Sequence, residues 1–253
     1  MTVASPSMRV LIVDADTMVS SVLANILRSS GRHGVCRVSS LAQAWQLLRT
    51  TTFDLLFVGL GGPDVDGAVF TAQLRRSDLA CRTTPVIMLG SEPTAGAILR
   101  ARDCGVHEFL RKPFTVQDVT RRLEAVTQKP RNWVEGIRYI GPDRRRFNSA
   151  EFSGARRRRL DKEDASSGDA RIGQALKIMK AAIEAIETDP RQALRSLQAQ
   201  AEELEAGAIE ARNWAAAASA KLFKDYLGSA VARGRFSRKQ VTDRAAALWS
   251  SSS

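Results

Sequence analysis

The sequence has no long apolar run. Nowhere do its hydrophobic residues extend toward the roughly 20 that a membrane-crossing helix needs, so no membrane insertion is expected. Its opening residues, M-T-V-A-S-P-S-M, lack the basic and apolar regions of a secretory leader. Cysteine is scarce. Cys36, Cys81 and Cys104 stand singly, without metal or redox spacing, so buried free thiols in a reducing cytoplasm are expected. Histidine is scarcer still. His33 and His107 fall on loop or strand edges, where they are expected to be ordinary polar residues and not metal ligands. There is no internal repeat.

What is present suits a soluble globular chain with one or two domains. Of 253 residues, 44% are hydrophobic and 26% charged, enough apolar material to bury real cores. The net charge of +11 is uneven. Residues 1–128 carry 14 basic and 11 acidic side chains, residues 129–164 carry 11 and 6, and residues 165–253 carry 13 and 10. The excess is densest in the short middle span.

Residues 1–128 alternate short apolar runs with amphipathic segments. R-V-L-I-V-D (Arg9–Asp14), L-L-F-V-G (Leu55–Gly59) and P-V-I-M-L (Pro85–Leu89) are continuous apolar runs of strand length, as buried parallel strands require. V-C-R-V and H-E-F-L are shorter strand candidates. Between them Met18, Val22, Ile26 and Leu27, then Leu41, Ala44, Trp45 and Leu48, recur at helical spacing. Five strands alternating with five helices predict an α/β fold, a five-stranded doubly wound parallel sheet covered on both faces. Ligands of such sheets bind outside the carboxyl ends of the strands, where Asp14 and Gly59 fall.

From Lys129 the periodicity stops, and residues 129–166 read as a basic, arginine-rich linker. Helices return in residues 167–250, read as a small all-α bundle. Ile172, Leu176, Met179, Ile183 and Ile186 form one apolar stripe; Asp189-Pro190 caps a second helix bearing Leu194, Leu197, Ala201 and Leu204. A break is expected near Gly207, then a helix with Trp214, Leu222, Phe223, Tyr226 and Leu227. Gly234 ends it, and Ser237 with Gln240 forms a capping box for a last helix with Val241, Ala245 and Leu248.

The ordered motifs of residues 1–128 are V-D-A-D after the first strand, G-P-D-V-D-G after the third, P-V-I-M-L as the fourth, and F-L-R-K-P-F ending the fifth. Together they resemble the receiver domain of two-component response regulators. The resemblance implies an aspartate that accepts a phosphoryl group from a histidine kinase, with magnesium held by neighbouring carboxylates. That chemistry needs a carboxylate nucleophile, oxygen ligands for the ion, a lysine and a hydroxyl donor.

Set on that pattern, the pocket is degenerate. Gly59 stands at the phosphoacceptor position, Ala15 at the second of the paired carboxylates, and Gly90 at the hydroxyl position, with Ser91 directly after it. Asp14, Lys112, Pro113 and Phe109 keep the family's pattern. Asp14 and Lys112 are expected to form a structural ion pair, with small-ion binding as the other reading. Asp16 is a replacement ligand only if it turns inward, and Asp64 and Asp66 belong to the loop beyond the third strand. No catalytic residue, cofactor or metal ion is expected. No histidine follows His107, which excludes a histidine phosphotransfer role for the helical bundle.

Two arginine clusters, Arg144–Arg145–Arg146 and Arg156–Arg157–Arg158–Arg159, flank F-N-S-A-E-F. Y-I-G-P-D-R-R-R is similar to an extension found in receiver-containing regulators of proteobacteria. Guanidinium clusters suit phosphate or carboxylate partners, and Phe147 and Phe152 are able to stack on bases. Three readings stand: an arm folded on the receiver's acidic surface and anchored by Trp133, Tyr139 and Ile140, a protein partner, or nucleic acid. The sequence as a whole predicts a cytoplasmic, phosphorylation-independent signalling protein acting through a protein partner. The alternative is a DNA-binding transcriptional regulator, for which Arg233, Arg235, Arg238 and Lys239 lie near the last helix. The oligomeric state is left open.

Overall fold

A computed structural model describes residues 8–32, 34–61, 66–91, 94–128, 131–144, 168–233 and 237–251. Two compact units form. One holds residues 1–134 and 139–152, the other residues 135–138 and 153–253.

The first unit begins with β1 (Arg9–Val13), α1 (Thr17–Ser29), β2 (Gly34–Val38), α2 (Leu41–Thr50) and β3 (Leu55–Gly59). It continues with α3 (Gly67–Arg76), a 3₁₀ turn (Ala80–Thr83), β4 (Val86–Gly90), α4 (Ala95–Asp103), β5 (Glu108–Arg111) and α5 (Val116–Thr127). The five strands are all parallel, in the order β2-β1-β3-β4-β5. The predicted doubly wound sheet is therefore the observed one.

The apolar runs alternate between the two faces, as a pleat of period two requires. Leu11, Val13, Leu56, Val58, Val86 and Met88 join one core with residues of α2, α3 and α4. Val10, Ile12, Leu55, Phe57, Ile87 and Leu89 join the other with Leu23 and Leu27 of α1 and Val119 and Leu123 of α5. On the first face the Trp45 and Phe70 rings meet edge to face at 5.0 Å.

The span read as linker begins with a hairpin, β6 (Trp133–Glu135) and β7 (Ile140–Pro142). Its reason lies in α3. Arg75, fully buried, donates from Nε to the Gly105 carbonyl at 2.9 Å and from Nη1 to the Thr84 carbonyl at 2.9 Å. Burial lowers the Arg75 pKa to about 10, which leaves the guanidinium charged at neutral pH. The Trp133 ring sits 5.2 Å from it and 6.0 Å from the Arg82 guanidinium, a double cation–π contact. Arg131 reaches the buried Glu108 carboxylate at 3.7 Å and also donates to the His107 carbonyl. Trp133, Tyr139 and Ile140 thus belong to the first unit's packing, and burial pushes the Tyr139 phenol up to about 12.

The second unit contains α6 (Gly168–Glu184), α7 (Pro190–Glu210), α8 (Trp214–Arg233) and α9 (Arg238–Ser251). Met179, Ile183, Leu197, Leu204, Phe223, Leu227, Val241 and Leu248 form its core. Ile137 packs against that core, and Gln192 donates to Glu135 Oε1 at 2.8 Å and to the Gly136 carbonyl at 3.1 Å. Asp189 caps α7 by accepting from the Gln192 amide, and Ser237 with Gln240 forms the expected capping box.

One expectation fails: α7 does not break near Gly207. The helix runs on to Glu210, and the chain turns at Ala211–Asn213, with Arg212 at φ 58°. Gly207 is small for a different reason. A Cβ there would come within 3.1 Å of the Gly168 carbonyl, and one on Gly168 within 2.4 Å of the Gly207 carbonyl, so the two glycines let α6 and α7 touch by their backbones. Among the described residues, no helix is long and apolar enough to cross a membrane.

Candidate functional site

The carboxyl ends of β1, β3, β4 and β5 converge on one cluster. Asp14 leaves β1 with its side chain 2% exposed and its Oδ1 accepting the Asp16 amide at 3.0 Å. Lys112 follows β5, its amide held by the Gly90 carbonyl at 2.8 Å. Its Nζ lies 2.6 Å from Asp14 Oδ2, so each charge is neutralised where water is nearly excluded.

Gly59 ends β3 beside them. A Cβ built on it would stand 3.2–3.4 Å from the Asp14 carboxylate atoms, so this position faces the pair and supplies no group to it. Gly90 ends β4, and a Cβ there would fall 2.5 Å from Cζ of the buried Phe109 ring. The ring occupies space that any side chain at position 90 needs. Next to the pair opens a cleft of about 280 Å³ lined by Leu60, Gly61, Leu89, Gly90, Ser91, Thr94, Ala97 and Lys112. Thr94 caps α4 by accepting the Ala97 amide at 3.1 Å, a contact the sequence reading missed although a threonine before an alanine-rich turn is its usual signature.

Asp16 does not join the cluster. Its carboxylate caps α1, accepting the amides of Met18 and Val19 at 3.0 Å each. Asp66 caps α3 in the same way and pairs with Arg100 at 3.2 Å. Magnesium requires a near-octahedral oxygen set. The described residues do not fit it: Asp14 is bound to a lysine, Asp16 to a helix terminus, and Ala15 and Gly59 carry no carboxylate. No group of three or more metal-ligating side chains occurs among the described residues.

His107 is buried on β5's approach, its Nδ1 accepting the Val86 amide at 3.3 Å. Burial first, then the cations Arg75 and Arg131, hold its pKa well below 6.5, so it is neutral at physiological pH. His33 and Asp64 lie outside the described residues.

Of the predicted basic patch only Arg144 is described; Arg145, Arg146, Arg156, Arg157, Arg158 and Arg159 lie outside, as do Phe147 and Phe152. Arg144 pairs with Asp103 at 2.9 Å and stacks on the Tyr139 ring at 4.3 Å. Hydrogen bonds from Arg102 and then Arg144 hold the Asp103 carboxyl below its usual range.

Residues 10–124 match the family model of the response regulator receiver domain. The chain is 28% identical over 140 residues to a swarming motility regulation protein, RssB, of Serratia marcescens, covering 53% of this chain and 62% of that protein. It is 28% identical over 134 residues to the transcriptional regulatory protein BasR of Escherichia coli, covering 53% and 59%. The match to the chemotaxis protein CheY of Pseudomonas aeruginosa is 26% over 122 residues, covering 48% of this chain and 98% of CheY. The chain thus spans about three fifths of the length of the first two relatives. Among solved structures, a response regulator of Chloroflexus aurantiacus aligns with TM-score 0.45 and 27% identity, covering 48% of this chain and 98% of that one.

Proposed function

We propose that this chain, whose residues 10–124 are a response regulator receiver domain, is a signalling protein that works without phosphorylation of its receiver and acts through a protein partner. One observation carries the reading. β3 ends in Gly59, where the receiver pattern calls for a phosphoryl-accepting carboxylate, and Lys112 is bound to Asp14 at 2.6 Å. An acyl phosphate needs a carboxylate, and magnesium needs oxygen ligands that the described residues here do not offer. The receiver is then a binding module with no catalysis of its own, working in the cytoplasm, and its control comes from a ligand or partner with different affinity for two states. The bundle, with residues 145–167, is the output or interaction side of that arrangement.

The test is incubation of the full chain with acetyl phosphate and magnesium, read by intact mass and by hydroxylamine sensitivity. The expected result is no modified species. A hydroxylamine-sensitive phosphate mapped to Asp14, Asp16, Asp64 or Asp66 would overturn the reading.

A second reading is a DNA-binding regulator whose receiver is not phosphorylated. The net charge of +11 and the exposed Arg238, Lys239 and Arg244 on α9 favour it, and BasR is named as a transcriptional regulator. It predicts affinity for a duplex that falls steeply with salt and depends on sequence. Salt-insensitive or sequence-blind binding excludes it.

A further inference from the structure

One face of α8 has no partner among the described residues of its own unit. Its exposed positions Trp214, Ala218, Lys221, Asp225 and Gly228 follow in alternate steps of four and three residues, which hold a single straight seam along a helix. Leu222 lies beside that seam. Trp214 is 66% and Leu222 71% exposed, while Phe223 and Leu227 of the same helix are buried. Two further details mark the seam as more than a solvated surface. Gly228 sits in the helix interior, where glycine is less favourable than alanine because it loses more backbone freedom. A Cβ there would meet nothing within 4 Å, so packing inside the unit does not require a glycine. Lys221 and Asp225 carry opposite charges on the seam, and no ion pair within 4.0 Å joins either to a described residue; Asp225 acts only at longer range on Lys224, which is bonded to Glu205.

We infer that this face joins a second copy of the same chain, with the two α8 helices antiparallel about a twofold axis near Phe223. The charges decide the occupant and the direction. In an antiparallel pair centred there, Lys221 of each copy faces Asp225 of the other. Ala218 faces Gly228, and two such small residues let the backbones approach closely. Leu222 lies one residue from the axis, so the most exposed aliphatic side chains of the two helices cover each other. A parallel pair would set Lys221 against Lys221 and Asp225 against Asp225, which like-charge repulsion opposes. A surface that is its own complement under a twofold rotation is the condition for a closed dimer. The inference does not rest on the receiver's function.

Sedimentation equilibrium of the full chain tests it, because single reversals on an exposed face leave the fold intact and are checked by circular dichroism. The wild-type chain should show a monomer–dimer equilibrium at or below about 100 μM. Since each reversal acts twice across the axis, K221D or D225K alone should weaken the dimer about tenfold or more. Mixing a K221D copy with a D225K copy should restore association as a heterodimer, because every facing pair is then opposite in charge. L222S should weaken it without rescue by either. A wild-type chain that stays monomeric at that concentration, a dimer indifferent to the single reversals, or a mixture that fails to re-associate would each overturn the proposal.

Discussion

Lys112 Nζ stands 2.6 Å from Asp14 Oδ2, with Asp14 buried and Lys112 reaching in from the mouth of the cleft. Removing one partner leaves the other charge in a poorly solvated place, whereas removing both does not. Lys112→Met should therefore destabilise the chain by about 2 kcal/mol, and the double variant Asp14→Asn with Lys112→Met by clearly less. Urea unfolding of the four species measures the coupling. Additive losses would mean that the two side chains are neighbours without being partners.

Gly59→Asp should not repair the pocket. The new Cβ would lie 3.2 Å from Asp14 Cγ, which puts a second carboxylate against the first with one lysine to serve both. We expect a loss of about 1–3 kcal/mol and no efficient phosphorylation by acetyl phosphate. Rapid, magnesium-dependent labelling of this single variant would show that the site has ligands beyond those named.

Gly90→Thr should cost stability through Phe109. The added Cβ would meet the ring at 2.5 Å, and the buried ring has to move, at about 1–3 kcal/mol. Combining it with Phe109→Leu should recover part of that loss. Thermal melts that show no recovery would place the strain elsewhere.

Trp133→Ala should destabilise the first unit by about 2 kcal/mol, since the indole covers two guanidinium groups, one of them fully buried. By the same contacts, residues 1–144 should be more stable to urea than residues 1–128, which lack Arg131 beside Glu108. Equal stability of the two fragments would show that the hairpin adds nothing.

His107 makes stability depend on acid. Its folded pKa lies well below 6.5, so below about pH 6.5 the unfolded chain takes up a proton that the native chain refuses. Its contribution is complete above that pH and is lost on acidification, with a slope of up to about 1.4 kcal/mol per pH unit. His107→Gln should flatten the loss between about pH 6.5 and 5 in a series of urea midpoints. An unchanged slope would assign the acid sensitivity to carboxylates.

The sheet was legible because its strands are buried on both faces, and continuous apolar runs such as Leu55–Gly59 have few other readings. Asp14, Gly59 and Lys112 were legible together because strand ends in such a sheet must converge. Asp16 would join them only by turning inward, and it stays out as a one-residue shift suggests; the unread part was its role, capping α1 through two amides. The hairpin could not be read from periodicity. Its three-residue strands are held by distant partners, above all by Arg75, which stands beside Arg76 in the sequence like any solvated pair. Gly207 misled for a related reason. A glycine that permits a backbone contact with another helix looks, in one dimension, like a glycine that ends its own.

The two units also differ in how far along the chain their contacts reach. In the bundle, α6 packs chiefly on α7, α7 on α8 and α8 on α9, each joined to its neighbour by a short connection. In the sheet, β1 lies between β2 and β3, and Val10 waits for Leu55 before its second edge is paired. Closing such loops is a cost met before the contacts reward it, and helical bundles with local contacts fold on the order of microseconds to milliseconds, ahead of parallel sheets. The bundle, which leaves the ribosome after the sheet, is therefore the part whose topology lets it fold faster.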